Sequence, residues 1–309
     1  MARLSLPATE STADRQLPQE WATCAACGSP FRGSMKVRLA NSRLMECAVC
    51  RVWLYVPRPC SMEQVAIHDS VDYFEHPYFG LRRTAQLAID RRCRWVFQRI
   101  AAAQHPDSLR GQRLLDVGCD TGAFLLSAAR QFGVVPVGID VARKAVEVAS
   151  SGGIEVYRAT IENAPESLQD FPVVTAVDLI EHVADPRGFL REIRRRLRPG
   201  GAVYLETPNI CSAVYRTGRL LCNMTGGRPW RTFERLFPPQ HIQYFTMASL
   251  RRMAVDSGLE VVQIDNRMLP WDDIAAPISV RIAMAALQAA DGLTGDRILI
   301  CAVLRRPVP

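Results

Sequence analysis

From residue 111 onward, short apolar runs alternate with stretches whose apolar residues recur at helical spacing. Leu114-Leu115-Asp116-Val117 is an apolar run closed by Gly118. Residues 123–132 then place their apolar side chains on one helical face, so the pattern predicts a strand, a glycine turn and an amphipathic helix. The alternation repeats with a strand over 134–139, a helix over 141–150 ended by Ser151-Gly152-Gly153, and a third strand over 154–158. A fourth strand is expected over 173–177, a helix over 186–197, and a fifth strand after Pro199-Gly200-Gly201, ending at Glu206. Further on, residues 247–257 read as a helix closed by Gly258, and 259–264 and 297–304 as two more strands. Seven strands interleaved with helices predict an α/β chain with a doubly wound, Rossmann-like sheet.

Two regions break this alternation. Residues 210–240 carry Arg216, Arg219, Gly226-Gly227, Trp230, Arg231 and Arg235 between the fifth strand and the next helix. They leave the edge where open α/β sheets bind ligands, so a cover over the substrate is expected there. Before residue 111, only 87–103 reads as a helix, with Ile89, Trp95, Val96 and Ile100 supplying apolar contacts. The expected division is a mobile tail over 1–20, a small cysteine-bearing module over 21–60 stopped by Pro57 and Pro59, a helical connector over 61–110, and the sheet domain over 111–309.

The cysteines give the small module its chemistry. Cys24-Ala-Ala-Cys27 and Cys47-Ala-Val-Cys50 are matched CxxC pairs, and each turn aims two thiolates at one point. Four thiolates satisfy tetrahedral zinc and leave no open position, so a structural zinc ribbon is predicted, its folding energy supplied by the metal. The other six cysteines lack partner spacing and read as small buried hydrophobes. The net charge of +7 raises the possibility of a nucleic-acid partner. Lys36 and Lys144 are the only lysines, however; the arginines are dispersed, and no aromatic–basic RNA motif is present. No apolar run approaches the ~20 residues of a membrane helix, and residues 1–20 lack a secretory core. A cytoplasmic, reducing location is therefore expected, and no feature sets an oligomeric state.

The glycine turn narrows the ligand. A dinucleotide fingerprint needs G-x-G-x-x-G, whereas here the order is Asp116-x-Gly118-x-x-x-Gly122. An acid at the strand end repels a pyrophosphate and suits a cationic amine. Asp140, ending the second strand, is placed to accept hydrogen bonds from ribose hydroxyls. Together, Asp116 and Asp140 fit an adenosine that bears an ammonium group. Asp178, Glu181 and His182 end the fourth strand at the same edge, with Glu206 and the arginines of the insertion as candidates for shaping an acceptor pocket.

The ordered series LLDVGCDTGAFL, VGID, VDLIEHVADP, LRPGG and YLETPN resembles the class I S-adenosylmethionine-dependent methyltransferases over residues 111–205. The resemblance implies S-adenosylmethionine as cofactor, a last strand running antiparallel, and Ile161, between Thr160 and Glu162, bordering the adenine. It also implies that an aromatic stretch at 72–80, with Tyr73, packs over the cofactor; plain aromatic packing is the alternative. Asp120 stands where the family often has glycine, and Phe171-Pro172 where it often has Phe-Asp. The acceptor implied is a small molecule of a secondary-metabolite or sugar pathway. An RNA methyltransferase and a non-catalytic scaffold whose ribbon binds a protein are the alternatives.

A hydroxyl or acidic-carbon acceptor must lose a proton, which points to histidine. His68, His76 and His105 precede the sheet and lack a motif. His241, directly after the insertion, is the expected general base, the alternative being a brace for the next helix. His182 is its rival, read otherwise as a structural hydrogen bond; in related ubiquinone-pathway enzymes a similar Glu-His segment is linked to a divalent metal. Arg191, Arg194, Arg195 and Arg196 read as a solvated helix face.

Overall fold

The computed structural model describes residues 23–39, 42–57, 61–70, 85–274 and 277–309. Tyr73 with its aromatic stretch, Cys60 and the 1–20 tail lie outside the described residues. Three strands come first: β1 (Gly33–Arg38), β2 (Arg43–Cys47) and β3 (Trp53–Val56), followed by helices α1 (Ser61–His68) and α2 (Gln86–Ile100). The alternating region runs β4 (Arg113–Val117), α3 (Ala123–Phe132), β5 (Val135–Asp140), α4 (Arg143–Ser151), β6 (Glu155–Arg158), β7 (Phe171–Val177), α5 (Pro186–Arg196) and β8 (Leu197–Pro208). Then come α6 (Ala213–Met224), α7 (Trp230–Leu236), β9 (Gln243–Tyr244), α8 (Met247–Asp256), β10 (Glu260–Arg267), α9 (Ile278–Thr294) and β11 (Leu299–Arg305).

Seven strands form one sheet in the order β10-β11-β8-β7-β4-β5-β6. β4, β5, β6, β7 and β8 pair in parallel, while β11 runs antiparallel to both β8 and β10, as the resemblance implied. The period-two alternation sorts side chains onto two faces. Leu115, Val117, Val174, Ala176, Val203 and Leu205 pack with Phe189, Ile193 and Leu250 of α5 and α8. Leu114, Val173, Ala202 and Tyr204 pack instead with Val96, Phe97, Leu125 and Ala128 of α2 and α3.

Three features depart from the pattern read along the chain. First, a helix, α9, lies between the last two strands. Its Asp291 carboxylate accepts from the Ala213 N–H at 2.6 Å and so caps α6. Second, Arg196 is no part of a solvated face: it is fully enclosed and donates to the carbonyls of Pro165, Leu168, Ile161 and Ala164. The loop after β6 has no strand to take those carbonyls, and a guanidinium with five donors does. Third, the ribbon does not stand apart. Its sheet has the order β1-β2-β3-β9, the fourth strand coming from residues 243–244. Cys24, Cys47, Cys50, Val52 and Leu54 share a core with Ile180, Phe189 and Phe245. The 210–240 insertion forms the pair α6 and α7; its Val214, Tyr215, Cys222, Phe233 and Phe237 pack against Val37, Leu44 and Trp53 of the ribbon. No helix among the described residues is long and apolar enough to cross a membrane.

Candidate active site

The chain leaves β4 for β5 and β6 on one side and returns to β7 on the other, so a crevice opens at the carboxyl ends of β4 and β7. Gly118 turns there at φ +75°, and its N–H donates to the Ile139 carbonyl at 2.8 Å. Gly122, also at φ +75°, opens α3; a Cβ there would sit 2.1 Å from Ile154 Cδ1 and 3.3 Å from Ala149 Cβ, so glycine suits both the backbone and the space. Asp120 lies between them at φ +49° and donates its N–H to Asp140 Oδ2 at 2.8 Å. The other Asp140 oxygen accepts from the Ala142 N–H at 2.9 Å. These bonds fix the carboxylate, and each oxygen retains a lone pair for a ribose hydroxyl.

Asp116 accepts from the Thr175 hydroxyl at 2.6 Å and is buried. Burial pushes its carboxyl up to about 7, against the Thr175 bond, and the charges of Asp140 and Asp120 push the same way. Burial likewise raises Asp140 to about 6, against the N–H groups of Ala142 and Asp120. A buried acid pair that resists ionisation favours a ligand carrying positive charge, as S-adenosylmethionine does. Ile161 lies in the core beside Ala164 and Leu168, on the loop gripped by Arg196.

Asp178, at φ +53°, ends β7 and accepts from Arg92 at 2.7 Å; the same Arg92 nitrogen reaches Glu206 at 2.7 Å. Arg267 grips Glu206 with two bonds, at 2.8 and 2.7 Å, and Tyr204 adds a third donor. Burial alone would raise the Glu206 carboxyl, but Arg92 and Arg267 outweigh it and hold it down to about 2. Glu206 is thus a brace for β8, its oxygens taken by protein donors. Arg92, on a helix preceding the sheet, had no sequence signal.

The turn after Asp178 carries Leu179, whose side chain covers Gly118, and then Glu181 and His182. His182 Nδ1 lies 2.9 Å from the Gln240 carbonyl; since a carbonyl only accepts, Nδ1 carries the proton and Nε2 the lone pair. The His241 ring stands edge-on to His182 at 4.7 Å, and the His68 ring edge-on to His182 at 4.8 Å. Sequence singled out two of these three; a lone histidine ending α1 gives no signal. Burial lowers His182 well below the usual histidine range, with the neighbouring His241 and His68 adding to it. Burial also pushes His241 down to about 4, against the pull of Asp178. Both rings are therefore neutral at pH 7. His241 Nδ1 is buried with no hydrogen-bond partner among the described residues. Nor does His241 cap α8: Thr246 and Ser249 do that reciprocally.

In the ribbon, the four sulfurs of Cys24, Cys27, Cys47 and Cys50 lie within 4.8 Å of one another, with Cys24–Cys50 at 3.6 Å and Cys27–Cys47 at 3.9 Å. Thiolates around tetrahedral zinc stand about 3.8 Å apart, and the two distances of 3.6 and 3.9 Å suit that ion. Glu181, His182 and His241 also hold ligand atoms within 4.8 Å of one another.

A family model described as a methyltransferase domain matches residues 85–264, more than half of the chain. A ubiquinone biosynthesis O-methyltransferase of Bordetella avium is 38% identical over 109 residues, covering 33% of this chain and 45% of that protein. The chain thus spans about half the length of the first curated relatives it matches. The crystal structure of the cyclase SpnF superposes with a TM-score of 0.56 at 21% identity, covering 82% of this chain and 99% of that one. The phosphoethanolamine N-methyltransferase 2 of Haemonchus contortus, in complex with S-adenosyl-L-methionine, gives 0.54 at 15% identity, covering 87% and 70%. These likenesses show the fold; a cyclase among them means that fold alone does not name the reaction.

Proposed function

This chain belongs to the methyltransferase-domain family, and on that premise we propose that it methylates a hydroxyl of a small-molecule acceptor, using S-adenosylmethionine. The observation that supports this is the edge-on pair His182 and His241, His182 lying on the turn that follows β7, with one buried His241 nitrogen lacking a hydrogen-bond partner among the described residues. S-adenosylmethionine would supply an electrophilic methyl carbon on its sulfonium. The chain would hold it with the Gly118 turn, with Asp140 on the ribose, with Asp116 near the ammonium group, and with Ile161 and Asp178 bordering the crevice; Tyr73 is proposed over it from the resemblance alone. Positioning the acceptor oxygen in line is the protein's larger task. His241 would take the hydroxyl proton, and His182, its Nδ1 tied to Gln240, would orient it or act in its place. One zinc, held by Cys24, Cys27, Cys47 and Cys50, would serve structure. The names of the curated relatives favour an oxygen acceptor.

The test is His241→Ala and His182→Ala, assayed with labelled donor against a panel of hydroxylated small molecules. A base variant loses ~10²–10⁴-fold in turnover while donor binding holds; near-normal turnover in both would remove the proton-taking role. Absence of donor binding by the native chain would favour a non-catalytic scaffold. The second reading of the cluster is a divalent cation on Glu181, His182 and His241, favoured by their mutual spacing. Turnover lost to a chelator and restored by magnesium alone would support it.

A further inference from the structure

We propose that Gln243 is a positioning residue through which the cysteine ribbon sets the geometry of the His182–His241 pair. The proposal rests on the reading of that pair as the proton-taking site and of the four cysteines as a zinc site. The path is continuous. The Cys47 N–H donates to the Val52 carbonyl at 2.9 Å, and the Arg51 N–H to the Cys47 carbonyl at 3.0 Å, so the second knuckle runs rigidly into β3. β3 pairs antiparallel with β9, Trp53 facing Tyr244 and Leu54 facing Gln243, and the Tyr55 N–H donates to the Ile242 carbonyl at 3.0 Å.

Gln243 then reaches across to the other loop. It is fully buried, and its Nε2 donates to the Ile180 carbonyl at 2.9 Å and to the Val183 carbonyl at 2.8 Å, the residues that bracket Glu181-His182. His182 returns the contact through Nδ1 to the Gln240 carbonyl at 2.9 Å. The two loops close a ring: Gln243 holds 180 and 183, and His182 holds 240. His241 stands inside it, flanked by Gln240, which His182 holds, and Ile242, which the ribbon holds. The two N–H groups of one amide NH₂ match the two carbonyls; a side chain without donors removes both bonds between the loops. Loosening the ring moves an imidazole relative to the acceptor, and a displacement of about an ångström is enough to cost ~10²-fold in rate.

The experiment uses the full chain with histidine labelled in nitrogen, comparing wild type, Gln243→Met and wild type stripped of zinc and then reloaded. Nitrogen NMR separates the two imidazole tautomers, a readout that a purely packing role would not move. In wild type the His182 signal should be the Nδ1–H tautomer. In Gln243→Met it should become a tautomer mixture, with kcat down ~10²-fold and donor affinity within about 2-fold, zinc content remaining at one per chain. Stripping zinc should give the same spectral change, and reloading should reverse it. Unchanged kcat and tautomer signals in Gln243→Met would overturn the role of Gln243. A change absent on zinc removal would overturn the link to the ribbon. Should Gln243→Met fail to fold, Gln243→Asn, whose shorter side chain withdraws the amide from both carbonyls, takes its place and is read the same way. If His241→Ala and His182→Ala both keep turnover while Gln243→Met still shifts the tautomer, the base reading fails and the coupling stands.

Discussion

Asp116 shows how one buried acid ties stability to ligand charge. Its carboxyl is raised from 3.8 to about 7, so between those pH values the folded chain keeps a proton that the unfolded chain has released. That contribution to stability is full below pH 3.8 and is lost as pH rises through 7. A cationic ligand reverses the balance by favouring the ionised acid. Donor affinity measured by calorimetry should therefore strengthen from pH 5 to pH 8, and Asp116→Asn should flatten that rise and weaken binding at pH 8 by ~1–3 kcal/mol. His241 has the opposite sign. Its pKa falls from 6.5 to about 4, so its share of stability is present above 6.5 and lost as pH falls through 4. In its proposed role as base it stays unprotonated across that window, and the acid limb of kcat should then lie near pH 4 rather than 6.5. Gly122→Ala should cost ~2–4 kcal/mol in urea unfolding, from overpacking on Ile154 plus a left-handed backbone.

Arg196 belongs to the scale of elements, since it joins α5 to the loop over 161–168. Phe189, Ile193 and Arg196 stand at i, i+4 and i+7, so the arginine lies on the apolar stripe of α5. That spacing was the available signal; the run of neighbouring arginines hid it. Arg196→Met should keep the packing but remove the guanidinium bonds to the four loop carbonyls, with an expected loss of ~2–4 kcal/mol in urea unfolding. Hydrogen exchange should then rise first over residues 161–168. The strand–turn–helix unit of β4 and α3 was legible in sequence because its apolar period changes where Gly118 sits. α9 was missed: its stripe faces α6 only once the insertion has folded back.

At the scale of the molecule, the ribbon and the sheet share both a core and a strand. They should therefore melt together. Calorimetry of the zinc-loaded chain should show one transition, and stripping zinc should lower its midpoint rather than split off a separate ribbon transition. Metal analysis should find one zinc per chain, lost in a Cys24→Ser plus Cys47→Ser variant. Two separated transitions would show that the shared core contributes little.

What sequence determined alone was local. Strand and helix periods, the glycines at 118 and 122, the acids at 116 and 140 and the paired CxxC turns each act within a few residues, where spacing dictates geometry. What only the tertiary structure decided joins distant residues: Arg92 to Asp178 and Glu206, His68 to His182, and Gln243 to the turn over 180–183. Each of these contacts exists because the sheet order returns β7 beside β4 and because β9 leaves the main domain to pair with β3. Side chains far apart along the chain carry no mutual period, so the electrostatics that keep both imidazoles neutral arise only when folding removes them from water.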